Sequence, residues 1–271
     1  MTDEASGRDR IEQPEVVVVA AMPSEIRHVL DALGNRQRHQ TGRWQCWSGR
    51  VDGQSVTALL SGIGMVNAAA ALSALLATRL PVAIINVGCA GAHRPDVLHG
   101  DVVVATETVA HGSVTILPDG TERFADHRYD IDGVTVIPHT LPADPRLLGW
   151  TRVATDEWRP DAWPGLDRQP QVHFGVVASA DAWTQHTARI QMLHARHRSL
   201  CEDMEAAALA QVAAIYGVPF LALKDVSNNE YLRATEHGPV WPTLDDVSSE
   251  VGRRAWDLAR RMLPMVDAAV A

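Results

Sequence analysis

The feature that most restricts the fold of this chain is an alternation between short β-branched runs and stretches with helical patterning. Glu15-Val16-Val17-Val18-Val19-Ala20 and Val82-Ala83-Ile84-Ile85-Asn86-Val87 are almost continuously apolar. A strand with one wet face alternates apolar and polar residues, whereas a strand covered on both faces reads like these two. Between them lies a helical pattern through Ile26, Val29, Leu30 and Leu33, with Ser24 placed to cap it and Gly34 placed to stop it. Residues 44–49 and 55–60 flank Asp52-Gly53, a dipeptide suited to a tight hairpin turn. A small-residue helix is expected over residues 66–78 and strands over 101–106 and 172–179. Helices are expected over residues 188–197 and 203–216, the second stopped by Gly217 with Pro219 just beyond, and a strand over 219–223. Thr243 and Asp246 form a capping pair for a last helix, lined on one side by Val247, Val251, Ala255, Leu258 and Met262. Strands alternating with helices predict an α/β fold with a mixed, mainly parallel central sheet.

A chain of 271 residues, 46% hydrophobic, can bury a large core. We expect a polar tail over residues 1–13 and one α/β domain over residues 14–271. The stretch 117–170 interrupts the pattern; it is rich in Pro, Asp, Arg and Trp and reads as an irregular excursion with one helix near Leu147. It is a lid, an interface element or a surface insert, and as a lid it would shape one end of a pocket together with His111 and Trp residues. No apolar run is long enough to span a bilayer, and the first residues are unlike a signal peptide, so no membrane partner is expected. Cys46, Cys89 and Cys201 are odd in number and far apart, which suggests reduced thiols in a cytoplasmic protein. A net charge of −9 argues against a nucleic-acid partner.

No metal is expected, because His194 and His197 share a helix face without a second ligand pair. No organic cofactor is expected either. Ser61-Gly62-Ile63-Gly64 follows a strand and opens a helix, like half of a dinucleotide fingerprint, but Asn67 stands at the third glycine position. Its backbone amides are expected to meet an anion, a hydroxyl or a sugar, or to form a packing turn only.

Three polar positions point to chemistry. In Cys201-Glu202-Asp203-Met204-Glu205-Ala206-Ala207-Ala208, acids open a helix of small residues. Complementarity to the helix dipole explains such acids by itself. Glu205 could also accept two hydrogen bonds from the vicinal hydroxyls of a ribose. Glu25 lies on the first turn after a strand, where sites in parallel sheets collect, and could serve as a general base toward water or only complement its helix. Asn228, beyond the last strand, is either a turn residue or a polar contact for a ligand.

Taken in order, the segments form a pattern. They are Ala21-Met22 with Glu25, Ser61-Gly62-Ile63-Gly64, Ile85-Asn86-Val87-Gly88-Cys89-Ala90-Gly91, and Gly100-Asp101-Val102-Val103-Val104. Ala178-Ser179-Ala180-Asp181-Ala182-Trp183, Asp203-Met204-Glu205-Ala206 and Gly217-Val218-Pro219-Phe220 follow, leading to Ser227-Asn228. The ordered set resembles the purine nucleoside phosphorylase and nucleosidase superfamily. It is most similar to the 5′-methylthioadenosine/S-adenosylhomocysteine nucleosidases and futalosine hydrolases.

The resemblance implies a three-layer α/β/α sandwich of the phosphorylase/hydrolase type and a homodimer with its site near the subunit interface. It implies a small-molecule purine nucleoside as substrate, cleaved hydrolytically at its N-glycosidic bond. It assigns Glu25 to the attacking water, Glu205 and Met204 to the ribose, Trp183 and Ala182 to the base, and Met22 and Ile63 to the ribose and its 5′ substituent. Cys89 stands where the nucleosidases often carry Ser. Asn228 stands where adenine-cleaving nucleosidases carry Asp. An amide does not titrate, so Asn228 cannot be a general acid, but it can donate to O6 of a 6-oxopurine and accept from a protonated N7. A 6-oxopurine substrate such as futalosine or an inosine-like nucleoside is therefore expected. An adenine nucleosidase using Asn228 or the nearby Asp225, a phosphorylase and a non-catalytic nucleoside-binding protein remain as alternatives. A fixed carboxylate at Glu25 would repel phosphate, which favours water as nucleophile.

Overall fold

The computed structural model describes residues 15–233 and 248–268. In chain order the elements begin β1 (Glu15–Ala20), α1 (Pro23–Ala32), β2 (Gly34–Thr41), β3 (Trp44–Val51), β4 (Gln54–Leu60), α2 (Met65–Leu76), β5 (Ala83–Ala92) and β6 (Val102–Ala110). Four short strands follow, β7 (Val114–Ile116), β8 (Glu122–Phe124), β9 (Tyr129–Ile131) and β10 (Val134–Val136), then β11 (Leu141–Pro142) and α3 (Pro145–Thr155). The remainder is β12 (Val172–Ser179), α4 (Thr187–His197), β13 (Ser199–Asp203), α5 (Ala206–Tyr216), β14 (Phe220–Asn228), α6 (Glu230–Arg233) and α7 (Arg253–Ala268). Among the described residues, no helix is long and apolar enough to cross a membrane.

Ten strands form one mixed sheet, whose chain of neighbours runs β11-β6-β12-β13-β5-β1-β4-β3-β2, with β14 bonded to both β5 and β6. Pairing is parallel along β4-β1-β5-β14 and along β6-β12-β13, and antiparallel where β13 meets β5 and β14 meets β6. The five strands β5, β14, β6, β12 and β13 thus close on themselves, and β1, β4, β3 and β2 extend from β5 as an open arm.

Helices cover both faces, as the apolar runs require. Val17 and Val19 of β1 pack with Ala68, Leu72, Leu209 and Ala213 of α2 and α5. Val16, Val18 and Ala20 pack on the opposite side with Ile26, Val29, Leu147, Leu258 and Met262 of α1, α3 and α7. The layers are therefore helix, sheet, helix. The small side chains of α2 and α5 let the two helices lie close together over the sheet.

Several boundaries differ from expectation. Met22, not Ser24, occupies the cap of α1, because Pro23 supplies the first helical residue with its φ already set. Helix α1 stops at Ala32, and Gly34 opens β2, an exposed and wholly polar strand that the pattern did not suggest. Glu202 and Asp203 end a strand, and α5 begins only at Ala206. Strand β14 runs on to Asn228, which is therefore not a turn residue. The expected capping pair Thr243 and Asp246 lies outside the described residues.

Candidate active site

The ends of β1, β5, β13 and β14 converge on one cavity of about 240 Å³. Its lining includes all nine side chains singled out from the sequence: Met22, Glu25, Ile63, Cys89, Ala182, Trp183, Met204, Glu205 and Asn228. Ala21, Ala90, Gly91, Glu202, Asp203 and Ser227 complete the described part of the wall. Residues from six separate chain segments thus meet in one place.

Glu25 is held by three backbone amides. Its Oε2 accepts from the amides of Ala21 and Met22, both at 3.0 Å, and its Oε1 accepts from the amide of Cys89 at 2.8 Å. The first two close the N-terminus of α1, and the third ties the helix to β5. The carboxylate is 3% exposed and each oxygen keeps lone-pair capacity beyond these bonds. Such a group is fixed in place yet able to bind one further donor.

Glu205 is the N-cap residue of α5, but its side chain does not cap the helix. That duty falls to Asp203, whose Oδ2 accepts from the Ala206 amide at 2.9 Å. The Glu205 side chain reaches the other way and accepts from the Gly64 amide at 2.9 Å. The next amide, Met65, donates to Asp181 Oδ1 at 2.7 Å. The Ser61-Gly62-Ile63-Gly64 turn therefore meets an anion as expected, but the anions belong to the protein. Carboxylates already fill the place where a helix N-terminus could hold phosphate.

One buried cation balances this cluster. Lys224 Nζ lies 2.7 Å from Asp203 Oδ2, and both side chains are 1% exposed. Burial opposes the ammonium charge, but Asp203, Glu205 and Glu25 outweigh it and hold Lys224 above the usual lysine range. Burial and the neighbouring Asp203 charge push Glu205 up to about 7, against the pull of Lys224. Burial, with the Glu25 charge beside it, also raises the Cys89 thiol well above its ordinary value, so the group is a neutral thiol rather than a nucleophile. Among the described residues that line the cavity there is no Lys or Arg.

Asn228, also on the wall, is clamped. Its Nδ2 donates to Glu230 Oε1 at 3.0 Å and its Oδ1 accepts from Ser227 Oγ at 3.2 Å. A carboxylate oxygen accepts only, so the amide orientation is determined. One N–H and one lone pair of Asn228 are left for a ligand. Trp183 stands at the mouth, 52% exposed, near Ile63, which is 51% exposed.

Two expectations fail. No residue of 117–170 lines the cavity. Trp158 is instead buried in the core beneath α7, donating to Asp257 Oδ2 at 2.6 Å, and Trp163 packs against Val251 and under the Arg254 guanidinium. Asp225 also stays out of the cavity, because its side chain turns to the other side of β14 and accepts from the Arg254 amide at 3.0 Å. Conversely, Glu202 was hidden in sequence because it resembled one more first-turn acid.

Glu202 is 7% exposed and accepts from the amide and hydroxyl of Thr184 at 2.8 and 2.9 Å. His111 and His93 bring Nε2 atoms to 3.1 and 3.4 Å from its Oε2. Burial alone would raise the Glu202 carboxyl, but the two imidazoles and the Thr184 amide outweigh it and keep it well below the usual carboxylate range.

Comparison with known proteins agrees with this architecture. A curated 5′-methylthioadenosine/S-adenosylhomocysteine nucleosidase from Anoxybacillus flavithermus is 31% identical over 219 residues, 79% of this chain and 87% of that protein. The crystal structure of the S-adenosylhomocysteine nucleosidase of Streptococcus pyogenes in complex with 5-methylthiotubericidin superposes with a TM-score of 0.73 at 25% identity, covering 93% of this chain and 97% of the other. Futalosine hydrolase of Helicobacter pylori shares the fold, with a TM-score of 0.72 at 19% identity over 93% of this chain and 98% of its own. The sequence profile of the phosphorylase superfamily matches residues 15–264, and the chain belongs to that superfamily.

Proposed function

We propose that this protein hydrolyses the N-glycosidic bond of a purine nucleoside, releasing the free base and a ribose derivative. The observation that carries the proposal is the setting of Glu25, a carboxylate locked by three backbone amides in a cavity whose described lining has no Lys or Arg. Such a wall attracts and orients water and repels phosphate. Glu25 takes a proton from that water as it attacks C1′. Glu205 and Met204 hold the ribose, and the negative charge of Glu205 favours the oxocarbenium-like transition state. Met22 and Ile63 flank the sugar and its 5′ substituent, with the neutral Cys89 thiol below. Trp183 and Ala182 keep the base in plane, and Asn228 steadies the departing purine. The C1′–O bond forms as the C1′–N9 bond breaks; the proton lost by water goes to Glu25, and the bonding pair leaves with the purine, which takes up a proton from solvent at N7.

The free N–H and lone pair of Asn228 suit O6 and protonated N7 of a 6-oxopurine, which favours hypoxanthine-type substrates. The second reading, an adenine-releasing enzyme, is favoured by the names of relatives at about one-third identity, such as the 31% identical nucleosidase above. The exposed apolar groups Ile63, Val66 and Trp183 around the mouth support a homodimer that covers them. Three free cysteines support a reducing, cytoplasmic setting.

The test is a panel of purine nucleosides carrying 5′-hydroxyl, 5′-methylthio, homocysteinyl and carboxylated aromatic groups, incubated with and without phosphate and assayed by chromatography. Base release without phosphate supports hydrolysis. Release only with phosphate overturns it.

A further inference from the structure

Asp225, Trp163 and the end of the 117–170 excursion take no part in lining the cavity, yet one residue gathers all three. Arg254, on the first turn of α7, is buried with Asp225, at 1% and 0% side-chain exposure. Its amide donates to Asp225 Oδ2 at 3.0 Å, so a carboxylate from β14 caps the N-terminus of α7, and its Nη1 lies 3.6 Å from the same oxygen. Its Nε and Nη2 donate to the carbonyls of Asp161 and Ala162 at 2.7 and 2.8 Å, and Nη2 also reaches Glu250 Oε2 at 3.0 Å. The guanidinium carbon lies 5.0 Å from the centre of the Trp163 ring. A planar guanidinium bonded in several directions is a stiff joint. This one locks the turn at 250–253 both to β14 and to residues 161–163.

That turn lies against the stem of Glu25. Gly252 has a φ of 76°, and a Cβ there would stand 3.3 Å from Cβ of Glu25 and 3.4 Å from its Cα and Cγ. Asp225 also stands in register with Cys89 across β14 and β5, and the Cys89 amide is the donor that ties Glu25 to β5. The Cys89 side chain packs against the pair formed by Trp163 and Val251. Two routes, one through Gly252 and one through Cys89, therefore run from Arg254 to the same carboxylate. Holding α7 on the sheet would need the joint but not the contact with Glu25.

We propose that Arg254 is a positioning residue for Glu25: by fixing the 250–253 turn behind the base and Asp225 beside Cys89, it keeps the carboxylate on its three amides and aimed at the attacking water. This rests on the hydrolytic role of Glu25. It gives the end of the excursion a part in the reaction that requires no contact with substrate.

Arg254→Lys tests it in the full-length protein, since lysine keeps the charge but not the planar fork. In this variant kcat should fall by about tenfold or more, as a displaced catalytic group entails, while KM and free-base affinity change by less than about twofold. Gly252→Ala, whose Cβ presses on Glu25 without touching the joint, should give the same split. Added to Glu25→Gln, the Arg254→Lys change should lower the residual turnover by less than about twofold, because its effect runs through the missing carboxylate. Amide hydrogen exchange at Ala21, Met22 and Cys89 should be faster in Arg254→Lys than in the parent. Unchanged exchange at these amides in the folded variant overturns the proposal, and that measurement needs no substrate. Equal losses from Arg254→Lys with and without the Glu25 carboxylate assign Arg254 to the fold alone and overturn it. Full kcat in both Arg254→Lys and Gly252→Ala does the same. Failure of the parent protein to release base from every nucleoside of the panel would instead overturn the nucleosidase reading itself.

Discussion

The backbone amide of Gly64 donates to Oε1 of Glu205 at 2.9 Å, joining the entrance of α2 to the entrance of α5 across 141 residues of chain. Gly64 takes a φ of 100°, which L side chains rarely adopt, and a Cβ there would lie 2.8 Å from Asp181 Oδ1. Gly64→Ala should therefore cost about 1–3 kcal/mol in stability. It should also weaken substrate capture, because relief of the strained φ displaces the amide that fixes the Glu205 carboxylate. Urea unfolding and the KM of the variant measure the two effects, and an unchanged midpoint with unchanged KM would contradict the assignment.

Glu25 is rigid before any ligand arrives, so removing its charge should leave the cavity shape intact. Glu25→Gln should lower kcat by about a hundredfold or more, the usual contribution of a positioned base, with free-base affinity nearly unchanged. Pre-steady-state rates together with base titration separate the two. Near-normal turnover would remove Glu25 from the chemistry.

Burial and Asp203 push Glu205 up to about 7, so near neutral pH the group is divided between its two forms. In the proposed mechanism the ionised form is the one that accepts from ribose hydroxyls and favours the cationic transition state, and it predominates above that value. The sign is therefore that kcat/KM rises with pH through about 7 and falls toward acid. In Glu205→Gln this limb should disappear from the residual activity. A pH profile of kcat/KM for both proteins tests the assignment, and an identical acid limb in the variant would assign it to another group.

Lys224 is 1% exposed and is the cation nearest Asp203. Lys224→Met leaves a buried carboxylate cluster without its partner, which costs about 3–5 kcal/mol. Protonation relieves like-charge repulsion, so the loss should be larger at alkaline than at mildly acid pH. Thermal unfolding at several pH values measures it, and a loss independent of pH would show that packing of the lysine stem dominates.

The sequence made the central strands, the helices over them and nine wall residues legible, because those depend on local patterning and on motifs in fixed order. Strand β2 was invisible for the opposite reason. Gly34–Thr41 is polar, almost wholly exposed, and joined to β3 through backbone bonds that leave no mark on composition. A short strand is expected ahead of Glu205, but its boundary with α5 is not legible, since Glu202 and Asp203 look like acids on a first helical turn; pairing with β5 and β12 makes them extended. Glu202 was missed with it. Of the three readings open for the excursion from 117 to 170, the lid would have brought its Trp residues to the substrate, but Trp158 and Trp163 serve the core beside α7. Composition gave their presence and could not give their direction.

The central claim is that water, activated by Glu25, becomes the new oxygen on the ribose. Cleavage of a substrate nucleoside in water enriched in heavy oxygen, in phosphate-free buffer, tests it directly by mass spectrometry of the sugar product. One heavy oxygen at C1′ per base released, with the rate collapsing in Glu25→Gln, is the predicted result. A requirement for phosphate, with a sugar phosphate formed in place of the labelled ribose, would contradict it.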